Sequence, residues 1–208
     1  MTTPEFDAAL DFPVREPGRV FRGAASFPAG KVPASFKDYG LPGRRSAPFV
    51  RVDVVGPVEV RWRDEFEVLD ENGIPLGRGI CLHPAAPLPE DVKPARRKAL
   101  LERLSQGEEE MLLALAEAGG LRGVREDAVA AFCRLLPPRV EALARALEEK
   151  GRVRILTFSP LFLLSQGALD FLEGKITAYL TQFHKKHPGQ KGAPMERIDA
   201  AKNHVILK

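Results

Sequence analysis

The chain has 208 residues with 31 Lys and Arg against 28 Asp and Glu, and its net charge of +3 is too small to indicate nucleic-acid binding from the total alone. This length allows one or two domains, each with its own core. There is no N-terminal apolar run of signal-peptide length, and no segment approaches the roughly 20 apolar residues that span a bilayer. We therefore expect a cytoplasmic protein with no membrane partner.

The first part of the sequence predicts a small β-barrel domain over residues 1–87. Residues 1–11 are expected to be a loose leader, and 27–48, rich in Pro, Gly and Lys, a surface loop or a strand-poor excursion. Asn72-Gly73 is a strong hairpin-turn signal. Short alternating segments cut by Gly and Pro predict strands at 19–25, 49–54, 58–62, 65–69 and 76–82.

Helices take over after a stiff proline-rich linker. Residues 88–107 are predicted to hold this linker and a short basic helix over 94–104. The next helix, 107–118, opens with three glutamates, which suit a helix N-terminus, and ends at a glycine pair. A further helix is predicted over 125–135.

Residues 136–192 organise this half of the chain. Pro138 suits a helix N-terminus, and Gly151 suits its C-cap. Between them, apolar residues recur at helical spacing: Val140, Leu143, Ala144 and Leu147. Two short strands, 153–155 and 161–164, follow. Three helices and a hairpin in this order predict a winged helix over 108–166.

A long C-terminal helix is predicted over 168–187, within a last segment, 167–208, that resembles a truncated second winged helix. The fold class is therefore α+β: a barrel, a winged helix and a long helix. From residue 174 onward, seven Lys and Arg stand against two acids, which makes this tail a basic patch on a nearly neutral body.

Catalytic and metal-binding motifs are missing from the sequence. It has no phosphate-binding P-loop, no H-E-x-x-H and no G-x-S-x-G. Cys81 and Cys133 stand far apart, so neither a zinc site nor a disulfide is expected, and Cys133 is interpreted as a core residue. His184 and His187 have no carboxylate or cysteine close in sequence and are interpreted as exposed side chains. We expect no enzyme activity, no catalytic residue, no metal and no cofactor.

Basic side chains give three candidate nucleic-acid contacts. The first set, at the end of the long helix, is uninterrupted by acids: Lys185, Lys186 and Lys191. The others lie on the third helix and the wing: Arg139, Arg145, Arg152 and Arg154. Glutamates share the third helix, so a solvated helix face is an equal alternative there, as solubilising charge is for the lysines. Trp62 and Phe66 could stack bases, but aromatics at strand spacing are usually core.

Two segments resemble the bacterial selenocysteine-specific elongation factor family, SelB. Residues 183–192, FHKKHPGQKG, look like its F/Y-H-x-x-x-P-x-x-x-G signature, which opens a winged-helix repeat in the C-terminal RNA-binding region. Residues 64–84 are similar to the D-R-F-I-L-R…G-G-G-x-V-L-D-P strand pair of its third barrel. Glu65 replaces the arginine of that pattern, and Arg78 interrupts its glycine triplet.

The resemblance implies a non-catalytic RNA-binding role related to translation, with a hairpin or ribosomal RNA as partner. The 208 residues do not contain the GTPase domain of that family, so a protein partner carrying a GTPase is also expected. Two alternatives remain open: a protein-docking module of a larger complex, favoured by the neutral body, and a winged-helix DNA-binding regulator, which predicts a dimer on two half-sites.

Overall fold

The computed structural model describes residues 2–14, 20–42, 48–85, 93–190 and 192–193. Contacts group the chain into two compact units: Met1–Met111 with Asp127–Pro137, and Leu112–Glu126 with Pro138–Lys208. The described residues form a closed antiparallel barrel, a small second sheet and five α-helices, so the predicted α+β class is confirmed. The predicted domain limits at residues 87, 107 and 166 remain predictions.

The first unit is built on the barrel, whose strand order is β1-β4-β3-β2-β5-β6. All neighbouring strands run antiparallel, and β1 closes the barrel by pairing with both β4 and β6. The strands are β1 (Thr2–Leu10), β2 (Val20–Phe27), β3 (Gly30–Pro42), β4 (Pro48–Glu59), β5 (Glu65–Leu69) and β6 (Pro75–His83). Closure leaves no sheet edge unpaired around the barrel.

Apolar side chains fill the barrel because alternate residues of each strand point inward. Val50 and Val52 of β4 are fully buried, and the ring of Phe6 meets that of Phe66 edge-to-face at 5.4 Å between centroids. Burying one such side chain stabilises the fold by about 1.5–3 kcal/mol. Phe66 is therefore a residue of the barrel core, as expected for an aromatic at strand spacing.

The structure corrects two sequence-based expectations about the barrel. Residues 2–10 form strand β1 rather than a loose leader, and residues 30–42 form β3 rather than a surface loop. Pro33 pairs with Ala24, so β3 is a true barrel strand despite its proline and glycine content. The two strands predicted at 49–54 and 58–62 are mostly one continuous strand, β4.

Two helices complete the first unit. Helix α1 (Pro94–Gln106) begins with proline at its first position and buries Leu101 and Leu104. Helix α3 is Glu126–Phe132, shorter than the predicted helix over 125–135. Cys133 follows it, buried, with its thiol donating to the Val129 carbonyl, so its interpretation as a core residue is confirmed.

The second unit contains most of α2 (Glu108–Gly119), a 3-10 turn at Gly120–Arg122 and β7 (Val124–Arg125). Helix α4 (Pro137–Glu149), the hairpin β8 (Val153–Phe158) and β9 (Leu161–Ser165), and helix α5 (Gln166–Lys186) follow. The three strands form one sheet in the order β7-β9-β8. In the parts of the chain given above, no helix is long and apolar enough to cross a membrane.

Helix α4 follows the pattern that its sequence predicts. Its buried residues are those with helical spacing: Val140, Leu143, Ala144 and Leu147. Gly151 has φ +65°, the left-handed conformation that ends a helix, and its N–H donates to the Glu148 carbonyl. At the start of α5, the Ser165 hydroxyl caps the helix by accepting from the Ala168 N–H at 3.3 Å.

Candidate nucleic-acid interface

The polar face of α4 carries two of the predicted contact residues. Arg139 and Arg145 are both exposed. Arg145 donates from Nε and Nη2 to one carboxylate oxygen of Glu141, at 3.1 and 2.7 Å. This pair is one helical turn apart on the surface, where such pairs contribute about 0.3–0.5 kcal/mol. The positive charge of Arg145 is therefore offset by its own helix.

The strand β8 and the turn before it carry the other two predicted arginines. The Nε atom of Arg154 lies 3.8 Å from the Glu148 carboxylate, which also accepts the Ile155 N–H at 2.9 Å. Arg152 is exposed, its N–H donates to the Leu147 carbonyl and its carbonyl accepts the Gln166 N–H. Arg152 has a fixed backbone and, within the described residues, no carboxylate partner.

The tip of the hairpin holds an aromatic ring that sequence reasoning missed. The Arg145 guanidinium carbon lies over the Phe158 ring, 4.3 Å from its centroid, and Phe158 is 46% exposed. Ile155 pairs with Leu163 and Thr157 with Phe162, so β8 has a bulge at Leu156. The bulge resets the alternation and returns Phe158 to the face of Ile155. A simple alternation of strand residues does not predict this position.

The end of α5 carries the strongest predicted patch, of which Lys185 and Lys186 have no acidic partner in the described residues. Lys185 and Lys186 are exposed in the last helical turn, where cations also complement the helix dipole. Lys191 lies outside the described residues. The Phe183 ring is buried, with the His187 and His184 rings 4.8 and 6.0 Å from it. The phenylalanine of the F-H-x-x-x-P signature is therefore a packing residue.

The structure brings together some of the predicted contacts. Arg145 and Arg154 both bind glutamates of α4, and Arg145 also joins α4 to the hairpin tip. No hydrogen bond, ion pair or cation–π contact among the described residues links Lys185 or Lys186 to α4 or to the hairpin. The candidates therefore form two surfaces, which we call the α4–hairpin surface and the α5 end.

Two other sequence hypotheses are resolved by burial and geometry. Trp62 is 4% exposed, so its ring is a core residue and does not present a face to a base. His184 and His187 are exposed, as expected. No group of three or more His, Cys, Asp or Glu side chains is arranged to hold a metal ion in the part of the chain that the structure describes.

Comparison with known proteins rests on the fold. No protein-family model and no curated protein sequence matches the chain. Across nearly its whole length, the chain has an elongation-factor-like fold. One solved structure that it resembles is the bacterial selenocysteine-specific elongation factor EF-Sec, with a TM-score of 0.62 and 16% sequence identity over 96% of this chain. The match spans 30% of that protein, and at this identity the likeness shows the fold alone.

Proposed function

We propose that the chain is a non-catalytic RNA-binding protein related to translation. The observation that carries the proposal is the likeness to bacterial EF-Sec, which covers 96% of this chain and therefore includes barrel and helices together. The two motifs at residues 64–84 and 183–192 support the same relationship from the sequence. A barrel alone would be weaker support, because one fold hosts many functions.

The module that contacts RNA would be of the winged-helix type. Its helices would be α2, α3 and α4, and the β8–β9 hairpin would be its wing, since these elements follow one another in the order that the motif requires. In such modules, the third helix and the wing reach the nucleic acid. The α4–hairpin surface is therefore the second proposed contact, through Arg139, Arg145, Arg152 and Arg154.

The α5 end is the first proposed contact, through Lys185, Lys186 and Lys191. Lys185 and Lys186 support it because they are exposed and not neutralised by acids in the described part of the chain. Lysines of this kind bind phosphates as point charges, and each phosphate contact makes the affinity fall with salt. Because the α4 face carries both charges, its electrostatic contribution to RNA affinity is expected to be weaker.

A titration of a labelled RNA hairpin at two salt concentrations tests the proposal. The expected result is salt-sensitive binding, which the variant Lys185→Glu/Lys186→Glu weakens while lowering the salt slope by about one for each lysine that no longer binds a phosphate. The matched control is Lys175→Glu, which reverses an exposed lysine earlier on the same helix. Absence of hairpin binding by the wild-type chain at low salt would contradict the proposed function.

A protein-docking module is the second candidate function. It is favoured by two apolar side chains of β8, Leu156 and Phe158, which are each 46% exposed, and by the α4 glutamates that offset Arg145 and Arg154. Its partner would include a chain that supplies the GTPase of the selenocysteine-specific family. A stoichiometric complex with such a GTPase, formed without nucleic acid, would support this candidate.

A further inference from the structure

We infer that Phe158 and Arg145 form a stacking platform for an unpaired nucleobase of RNA. The inference rests on the proposed function and adds the class of RNA that the α4–hairpin surface recognises. It starts from two planar groups that are in contact yet accessible: the Arg145 guanidinium lies over the Phe158 ring, Phe158 is 46% exposed and the Arg145 side chain is 55% exposed. A ring and a guanidinium in contact within a core would not be accessible to a ligand.

Arg145 is held in place for this role by two different contacts. Glu141 accepts from its Nε and Nη2, and the Phe158 ring lies under the guanidinium at 4.3 Å. A guanidinium has five N–H donors, so three remain for the edge of a base or for a phosphate. Holding the side chain in one orientation lowers the entropy cost of binding a ligand.

The charge balance favours a base over a phosphate as the primary ligand. Because Glu141 neutralises Arg145, the pair has little net attraction for an anion, while its flat guanidinium remains available for stacking. Every base has a π-face that aromatic rings and guanidinium planes accept, whereas a paired duplex covers its base faces.

The predicted partner is therefore RNA with at least one unstacked nucleotide, such as a loop or a bulge. Phosphates beside that nucleotide would be bound by other cations, among which Arg152 has no acidic partner in the described residues. Removal of the Phe158 ring should abolish stacking on the base and leave the electrostatic contribution to RNA affinity unchanged. The salt slope and the affinity thus report on separate parts of the interface.

The test compares two RNAs of equal length and charge, a hairpin with an unpaired loop and a fully paired duplex. The variant is Phe158→Leu, which keeps an apolar side chain but removes the ring, and the matched control is Phe158→Tyr, which keeps the ring. The wild type should prefer the hairpin. Phe158→Leu should bind the hairpin about 5-fold to 100-fold more weakly, with an unchanged salt slope and unchanged duplex binding, and Phe158→Tyr should bind as the wild type does.

A fluorescent base analogue at the unpaired loop position supplies a direct readout. Its emission should be quenched on binding to the wild type and to Phe158→Tyr, but not to Phe158→Leu. If the wild type and Phe158→Leu bind the RNA hairpin equally, with the same quenching, the stacking platform is wrong although RNA binding stands. The same result is expected if the tip of the β8–β9 hairpin contacts a protein instead. Binding of neither RNA by the wild type would overturn the platform together with the proposed function.

Discussion

The indole N–H of Trp62 donates a buried hydrogen bond to the Leu104 carbonyl at 2.9 Å. Trp62 follows strand β4, and Leu104 lies in the last turn of α1, where carbonyls have no partner within the helix. The Trp62 backbone N–H donates in addition to the Phe132 carbonyl at 2.8 Å, at the end of α3. One residue beside the barrel thus satisfies the ends of two helices of the first unit.

Trp62 variants should therefore separate the hydrogen bond from the packing. Trp62→Phe leaves the Leu104 carbonyl without its donor and is expected to cost about 1–3 kcal/mol. Trp62→Ala also opens a cavity and is expected to cost about 3–5 kcal/mol. Urea unfolding measures both, with Val55→Ala as a control expected within about 0.5 kcal/mol, since Val55 is 71% exposed. Wild-type stability of Trp62→Phe would show that the hydrogen bond is unimportant.

A buried ion pair joins Asp7 of β1 to Arg97 of α1. Their side chains are 0% and 5% exposed, and the Tyr39 hydroxyl also donates to Asp7 at 2.7 Å. Burial lowers the pKa of Arg97 to about 10, so the guanidinium is still charged at neutral pH. No nitrogen of the guanidinium makes a well-aligned hydrogen bond within the described residues, so the Asp7 charge is its main compensation.

Removing one partner of this ion pair should lower the free energy of unfolding more than replacing both partners with apolar side chains. Asp7→Asn leaves a buried charge without its partner and is expected to destabilise the chain by about 3–5 kcal/mol. The double variant Asp7→Leu/Arg97→Met should be more stable than Asp7→Asn, because no charge remains buried. Chemical unfolding of these variants, with Glu59→Gln at the exposed Arg61–Glu59 pair as the control, checks both statements. Equal costs for Asp7→Asn and Glu59→Gln would contradict this account.

The stability of the first unit should fall on mild acidification because of His83. This side chain is largely buried at the end of β6, its ring meets Phe132 edge-to-face at 5.2 Å, and no well-aligned hydrogen bond reaches its Nδ1 within the described residues. Burial lowers the pKa of His83 from 6.5 to about 4. The folded state keeps the ring neutral, whereas the unfolded chain takes up a proton below about pH 6.5.

Protonation therefore favours the unfolded chain between about pH 6.5 and 4, and the destabilisation reaches roughly 3 kcal/mol at the lower limit. His83→Leu removes this titration, so the stability of the wild type relative to the variant should decrease over that window and be constant above about pH 8. Urea unfolding at a series of pH values measures the difference, in which other titrating groups cancel. A parallel pH dependence for the two proteins would mean that His83 is already solvated in the fold.

Periodicity was sufficient for the helices and for most barrel strands, but not for β1 and β3. Helix α4 could be predicted because its apolar spacing, proline start and glycine end agree. Strand β1 contains Pro4 and little β-branched sequence, and it is a strand because it pairs with both β4 and β6. Long-range pairing of this kind overrides local propensity, which a single sequence does not reveal.

Some features of the candidate site could be predicted from the sequence and others could not. Sequence position alone predicted that Lys185 and Lys186 are exposed cations, because the end of an amphipathic helix is exposed. It did not predict that Glu141 and Glu148 would bind Arg145 and Arg154, nor that Phe158 would lie under Arg145. Those contacts depend on rotamers and on the bulge at Leu156, which no periodic pattern encodes.

Two glycines with nearly the same φ angle allow the steric effect of an added methyl group to be measured separately from its conformational effect. Gly123 has φ +63° and Gly151 has φ +65°. A Cβ at Gly151 would meet nothing within 4 Å, whereas one at Gly123 would lie 2.6 Å from the Leu163 carbonyl oxygen and 2.6 Å from the Phe162 ring. Gly123 thus lets the chain approach β9 closely where β7 begins.

Gly151→Ala should cost only the left-handed conformation, about 1–2 kcal/mol. Gly123→Ala should cost that amount and about 1–3 kcal/mol more, because backbone and ring atoms of β9 must move to admit the methyl group. Urea unfolding of the two variants isolates the steric part, since the conformational part is shared. If the two variants lose the same free energy of unfolding, β9 moves without an energetic penalty. The close approach at Gly123 is then not needed for pairing between β7 and β9.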